Sequence, residues 1–217
     1  MRLKRSLFNP NKPMKYLKIL SVVALVGAAA LTARADDAFF QAALWAPSPQ
    51  LVPATESVSG IRLEIYGENK DVTGLEMGFV NITTGNFTGV TGLILIPSIY
   101  NRVEGTTTGV QFGVVNVTKR EVTGWQGGWV NVHDSKVTGL QTAIVNWGGE
   151  DIKADFSGLQ IGLVNAAKNV KGVQLGFINY AETLKGVQIG LWNQVNSRDW
   201  DEFKPLPKVF PFINLGF

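Results

Sequence analysis

The sequence predicts an all-β fold built from one repeated strand unit, and three observations lead there. A ten-residue phrase recurs from Val122 to Asn193. Its copies are Val122-Thr-Gly-Trp-Gln-Gly-Gly-Trp-Val-Asn131, then residues 137–146, 156–165, 170–179 and 184–193. The motif glycines, at 60, 74, 89, 109, 124, 139, 158, 172 and 186, recur at short intervals, mostly 14 or 15 residues. A short fixed period signals a repeat architecture. Each copy also alternates with period two. In residues 170–179, Val170, Gly172, Gln174, Gly176 and Ile178 share one face, and Lys171, Val173, Leu175, Phe177 and Asn179 share the other. Alternation over that length specifies strand, and the paired glycines would weaken a helix.

Residues 1–35 open on Arg2, Lys4, Arg5, Lys12, Lys15 and Lys18 with no acid. An apolar run over Ile19–Leu31 and Ala33-Arg34-Ala35 follow. A basic start, a short apolar core and an Ala-x-Ala site describe a secretory signal peptide cut after Ala35; Met14 would serve equally as a start. Seven of the 20 Lys/Arg lie there, so 13 basic residues face 17 acidic ones in the mature chain, a net charge of −4. Nucleic acid is therefore not an expected partner. With no cysteine, disulfides, thiolate metal sites and a lipid-modified Cys are excluded. An exported chain then needs backbone pairing as its source of stability.

Residues 36–57, with Pro47, Pro49 and Pro53, read as an extended arm or plug in which Phe39, Phe40, Leu44 and Trp45 pack; residues 37–44 are compatible with a helix. Residues 58–217 form a single β-repeat domain. Its early copies depart from the consensus at the central Gln, with Arg62, Glu76 and Thr91 in that place. Short polar spacers such as 118–121, 133–136 and 181–183 suit tight turns. Longer connections follow the third, sixth and ninth copies. A tenth candidate strand, 208–217, ends on Phe217.

A one-strand repeat permits a parallel β-solenoid with coils of 14–15 residues, or an up-and-down meander closed into a barrel of about ten strands. A single polar spacer per copy, a motif nearly palindromic about its Gln, and an alternating aromatic chain end favour the barrel. The long connections count against it, because their positions do not follow loop parity. In the barrel the Gln face points inward, so Arg62, Glu76, Gln111, Gln126, Gln141, Gln160, Gln174 and Gln188 form a mid-height belt, with an Arg62–Glu76 cross-strand pair. Outward apolar triplets such as Leu159, Ile161 and Leu163 then meet outer-membrane lipid. In the solenoid the triplets face inward and the Gln row lies on the surface.

The phrase Gly-Leu-Gln-Ile-Gly-Leu-Val-Asn at 158–165, its relatives at 172–179 and 186–193, the opening Gly60–Asn69 and the ending Phe212–Phe217 resemble repeats of a loose group of exported bacterial surface proteins. The resemblance implies an envelope location and brings no activity or catalytic residues with it.

Candidate chemistry is sparse. His133-Asp134-Ser135 holds the residue types of a hydrolytic triad, but neighbours in a spacer cannot adopt triad geometry; His133 reads as a solvated turn residue. Glu150, Asp151 and Asp155, and separately Asp199, Asp201 and Glu202, read as solvated loop acids without calcium-loop spacing. Asn81, Asn86 and Asn116 open N-x-Thr triplets that are by-products of the repeat. Tyr66, Tyr180 and Trp192 fall on the Gln face. The expectation is a non-enzymatic envelope protein without cofactor or metal. It would be an outer-membrane barrel with a structural, surface or narrow-pore role; the alternative is a periplasmic or surface-attached solenoid that binds a protein or glycan.

Overall fold

A computed structural model describes residues 37–92, 97–196 and 209–216. Among these residues thirteen strands form one sheet. They are β1 (Ala38–Ala43), β2 (Val58–Asn69), β3 (Val72–Thr83), β4 (Phe87–Thr91), β5 (Ser98–Val103), β6 (Thr107–Thr118) and β7 (Val122–His133) in the first half. The second half holds β8 (Val137–Thr142), β9 (Val145–Trp147), β10 (Phe156–Ile161), β11 (Val164–Leu175), β12 (Ile178–Val195) and β13 (Val209–Gly216).

From β1 to β12 every pairing is parallel, and it joins identical motif positions. Gly158 pairs Gly139 and Gly172, and Gln160 pairs Gln141 and Gln174. The chain therefore winds as a β-solenoid of nine stacked coils. Only β13 runs antiparallel, on β12. Among the described residues β1 and β13 end the strand order and do not pair with one another, so no barrel closes. That corrects the meander-and-barrel expectation. The outer-membrane location, the lipid-facing wall and the narrow pore were consequences of closure, and they fall with it. Residues 37–44 contain the strand β1, not a helix.

The motif hides a second bend, and this is why one polar spacer per copy suffices. Gln160 and Asn165 are both fully buried although five residues apart, while Leu163 is 51% exposed between them. Strict alternation would put an odd separation on opposite faces. Around Gly162 the chain instead turns a corner and presents Leu163 and Val164 outward in succession. Each ten-residue phrase thus covers two sides of a coil. Asn179 lies inside with Gln174, and Ile178 is outside.

The interior is correspondingly polar. The Gln and Asn rows fill it, closed at the spacer side by Val72, Val122, Val137, Phe156 and Val170. Both alternatives read from the sequence had one element misplaced: the fold is a solenoid, yet its Gln row is inside and its apolar triplets face out. The long connections have no parity to obey: the one after the sixth copy lies at the spacer between β9 and β10, the one after the third is an ordinary spacer of residues 104–106, and most of the one after the ninth lies outside the described residues.

At the first motif glycine the coils approach too closely for a side chain. Gly172 has φ 132°, and a Cβ there would sit 2.0 Å from the Gly158 carbonyl oxygen. The equivalent glycines stack in the same way along the coil, so backbone conformation and spacing both demand glycine. Gly172→Ala is expected to cost about 3 kcal/mol or more in urea unfolding, while the neighbouring exposed Lys171→Ala stays within about 0.5 kcal/mol.

Candidate functional site

The coil's two faces each carry an amide ladder. In the first, Gln126 Nε2 donates to Gln111 Oε1 (2.8 Å), Gln141 to Gln126 (2.8 Å), Gln160 to Gln141 (2.8 Å), Gln174 to Gln160 (2.7 Å) and Gln188 to Gln174 (2.8 Å). Asn214 of β13 closes this row on Gln188 Oε1 at 3.2 Å. The second ladder runs Asn81, Asn101, Asn116, Asn131, Asn146, Asn165, Asn179 and Asn193 with spacings of 2.7–2.9 Å. Its donors point the opposite way, each Nδ2 towards the next residue in sequence. Primary amides both donate and accept, so a stack of them satisfies itself without water.

The eight expected belt residues are buried, and Thr91 at the same position of the third coil is buried with them. At its start the row is charged. Arg62 donates through Nε to Glu64 at 2.7 Å and lies 3.7 Å from Glu76. Its guanidinium also donates to the Gly67 and Ile82 carbonyls. Gly67 stands at the Asn position of this first coil, and a Cβ there would collide with the Glu64 carboxylate. Burial pushes Glu76 up to about 7 against the pull of Arg62.

His133 is inside the coil and not in a solvated turn. Its Nδ1 lies 3.2 Å from Gln141 Nε2, and burial pushes the ring down to about 4. Asp134 points outward to Lys119 at 2.7 Å. The two side chains leave the chain on opposite sides of the coil wall, so no hydrolytic constellation forms. No group of three potential metal-ligating side chains occurs among the described residues. Asp151 instead pairs with Lys153, and Asp155 accepts from Asn169. Asp199, Asp201 and Glu202 lie outside the described residues. Asn81 and Asn116 belong to the buried ladder; Asn86 is exposed and accepts from the Thr106 amide and hydroxyl. Trp192 is 51% exposed on the outer face and not on the Gln face.

The feature that the sequence reading missed is outside. At the hidden corner the chain bends inward, and stacked corners form a groove of about 1430 Å³ along the coil axis. Its floor is backbone at Gly128, Gly162, Gly176 and Gly190. One wall carries Phe112, Ile161, Leu175 and Ile189, and the other Trp129, Ile144, Leu163, Phe177 and Leu191. Pro97 and the edge-to-face pair Phe112–Trp125 (4.7 Å) stand at one end, and Phe212 and Ile213 at the other. Thr142 supplies the sole side-chain hydroxyl among the lining residues, and the Trp125 indole N–H occupies it at 2.9 Å. No lining residue is charged.

The floor's polar groups are already used. Gly162 and Gly176 donate their amides to the Leu175 and Ile189 carbonyls. The Asn ladder reaches the same corner from inside, with Asn146 donating to the Ile161 carbonyl, Asn165 to Leu175 and Asn179 to Ile189 at 2.9–3.1 Å. The signal for this groove was present as Gln-x-Gly-x-x-Asn, with the two polar residues an odd number apart. No family model, curated protein or solved structure matches the chain.

Two predictions concern the interior. Gln160→Ala strands Gln141 Oε1 and Gln174 Nε2, so chemical denaturation should show a loss of about 1–3 kcal/mol for each partner left unpaired. The buried titratable groups give opposite pH dependences. His133 has a depressed folded pKa, so its contribution is complete above 6.5 and is lost as pH falls from 6.5 through 4. The loss is about 3 kcal/mol. Glu76 has a raised one, so its contribution is complete below 4.5 and is lost as pH rises through about 7. Hydrogen exchange should show β7 amides loosening on acidification and β3 amides loosening towards neutrality. His133→Gln should flatten the first trend and Glu76→Gln the second.

Proposed function

We propose that this chain is an exported, non-catalytic β-solenoid that holds a protein partner along its apolar corner groove, at the cell surface or in the periplasm. The observation that carries the reading is the groove with its exposed walls. Trp129 is 63% exposed, Phe177 58%, Leu191 58% and Leu163 51%, all in one column. Contiguous apolar patches of several hundred square ångströms mark interaction surfaces on proteins. Here the patch is concave and aligned by the repeat, coil after coil.

A protein suits the groove better than a glycan. Sugar recognition requires several hydrogen-bonding groups beside an aromatic platform, and the groove's side chains offer few: the Trp129 indole N–H and a Thr142 hydroxyl that already accepts from Trp125. The N-terminal basic and apolar segments support export.

Photo-crosslinking tests the reading. A benzophenone amino acid replacing Leu163 or Phe177 in the full chain, expressed in the native host, should give a discrete protein adduct. The same probe at Thr138, on the outer face away from the groove, should not. Adducts equally strong at position 138, or none at 163 and 177, would remove the groove as the binding surface.

A further inference from the structure

We infer that the groove's occupant is an amphipathic α-helix of the partner, laid along the solenoid axis with its apolar stripe on the glycine floor. This rests on the groove being the protein-binding surface.

Hydrogen-bond accounting selects the secondary structure. Every strand of the coil runs across the groove, and the coil's amides and carbonyls point along its axis to the neighbouring coils. The corner carbonyls of Ile161, Leu175 and Ile189 each accept the backbone amide of the preceding coil, from Ala143, Gly162 and Gly176, and again an interior asparagine amide. An extended peptide entering here would find neither donors nor acceptors for its own backbone. Each unpaired peptide group carried into an apolar site costs about 1–3 kcal/mol, enough to cancel most of what its side chain gains. Strand addition, which depends on a free sheet edge, has no edge to use. A helix satisfies its backbone internally and offers a continuous apolar stripe.

Dimensions agree. From Phe112 to Ile213 the groove crosses seven strands, six steps of about 4.8 Å, or about 29 Å. That length takes a helix of about 19 residues, roughly five turns. The end groups, Phe112 with Trp125 and Phe212 with Ile213, bound the same span. A second copy is a poor occupant, because two concave grooves placed face to face enclose a void where packing should be.

The test uses the full mature chain and two labelled 20-residue peptides of equal composition. One carries Leu at i, i+3, i+4 and i+7 with Glu, Gln and Ala between; the other has the same residues in strict alternation. Fluorescence anisotropy should give the helical pattern at least tenfold tighter binding, with peptide helicity rising in circular dichroism. Leu163→Glu with Phe177→Glu should weaken it at least tenfold. Both side chains point outward, so an unchanged urea midpoint certifies the fold of that variant. Equal binding of the alternating peptide, no binding of the helical one, or binding unaffected by the double variant overturns the helix. So does a dimer in sedimentation that the double variant dissolves, because the occupant is then a second copy. A photo-crosslinked partner at position 163 together with failure of the helical peptide would reject the helix and leave the protein-binding groove standing. Absence of both would remove both.

Discussion

The structure depends on amide groups stacked in register inside a dry coil. A Gln side chain buried alone would cost several kcal/mol; one held between identical neighbours 2.7–2.8 Å away costs little, because each donor meets an acceptor one coil along. Hydrogen bonds in such a chain polarise one another, which strengthens the row. The two rows run with opposite polarity, Gln donors towards the chain start and Asn donors towards its end, so their dipoles oppose. The Asn direction is set by the second proton of each amide, which caps a corner carbonyl of the following coil. That carbonyl belongs to the bend, where ladder geometry alone would leave lone pairs exposed to an apolar surface. One row therefore fills the coil, and the other both fills it and seals its corner.

Sealing the corner from inside has a consequence for the outside. With the polar residues of the motif consumed internally, the outward positions are free of any hydrogen-bonding duty, and the chain has made them Leu, Ile, Val, Phe and Trp. Burying polar groups and exposing apolar ones inverts the usual partition, in which apolar burial supplies the main driving force. Two features offset the inversion within the chain. Val72, Val122, Val137, Phe156 and Val170 form small apolar clusters at the spacer side, and nearly every backbone group along the coils is paired. The third contribution has to come from whatever covers the groove walls. A partner that removes Trp129, Leu163, Phe177 and Leu191 from water supplies hydrophobic energy that the solenoid does not gain by itself.

Much of this was legible in the sequence, and the failures have one origin. The all-β repeat, its period and the placing of Arg62 beside Glu76 follow from spacing alone. Parity decides the rest. From Gln174 to Asn179 is five residues, and strict alternation sends the two to opposite faces; a single bend at Gly176 brings both inside. Alternation carried through that glycine makes each copy one straight strand, for which the palindrome implies alternating direction and the polar spacer is the only turn. The glycine-lined groove vanished from view for the same reason, since it exists only where the strand bends. Nothing in residue composition distinguishes a glycine that bends from one that merely narrows a lumen. The distinguishing mark was that Asn recurs in every consensus copy at an odd offset from Gln.

A perfectly repeating coil has two unsolved problems, its register and its ends, and the departures from consensus answer both. Among identical copies, pairing β2 with β4 in place of β3 would still set glycine on glycine. It would also set Arg62 against Thr91 and take the second carboxylate, Glu76, from a buried guanidinium that keeps only Glu64. The charged first coils therefore mark the start of the stack in a way that Gln could not. At that end Gln41 of β1 is buried over the charged coil, exchanging bonds with Val52 and donating to Asn69. At the other, β13 reverses direction and carries Pro211, which has no amide to offer a further strand. A parallel in-register stack with bare ends is the geometry by which chains recruit one another indefinitely. Ending it with an antiparallel strand that still reaches the Gln row through Asn214 closes the ladder chemically while making its outer edge unlike any coil that could be added.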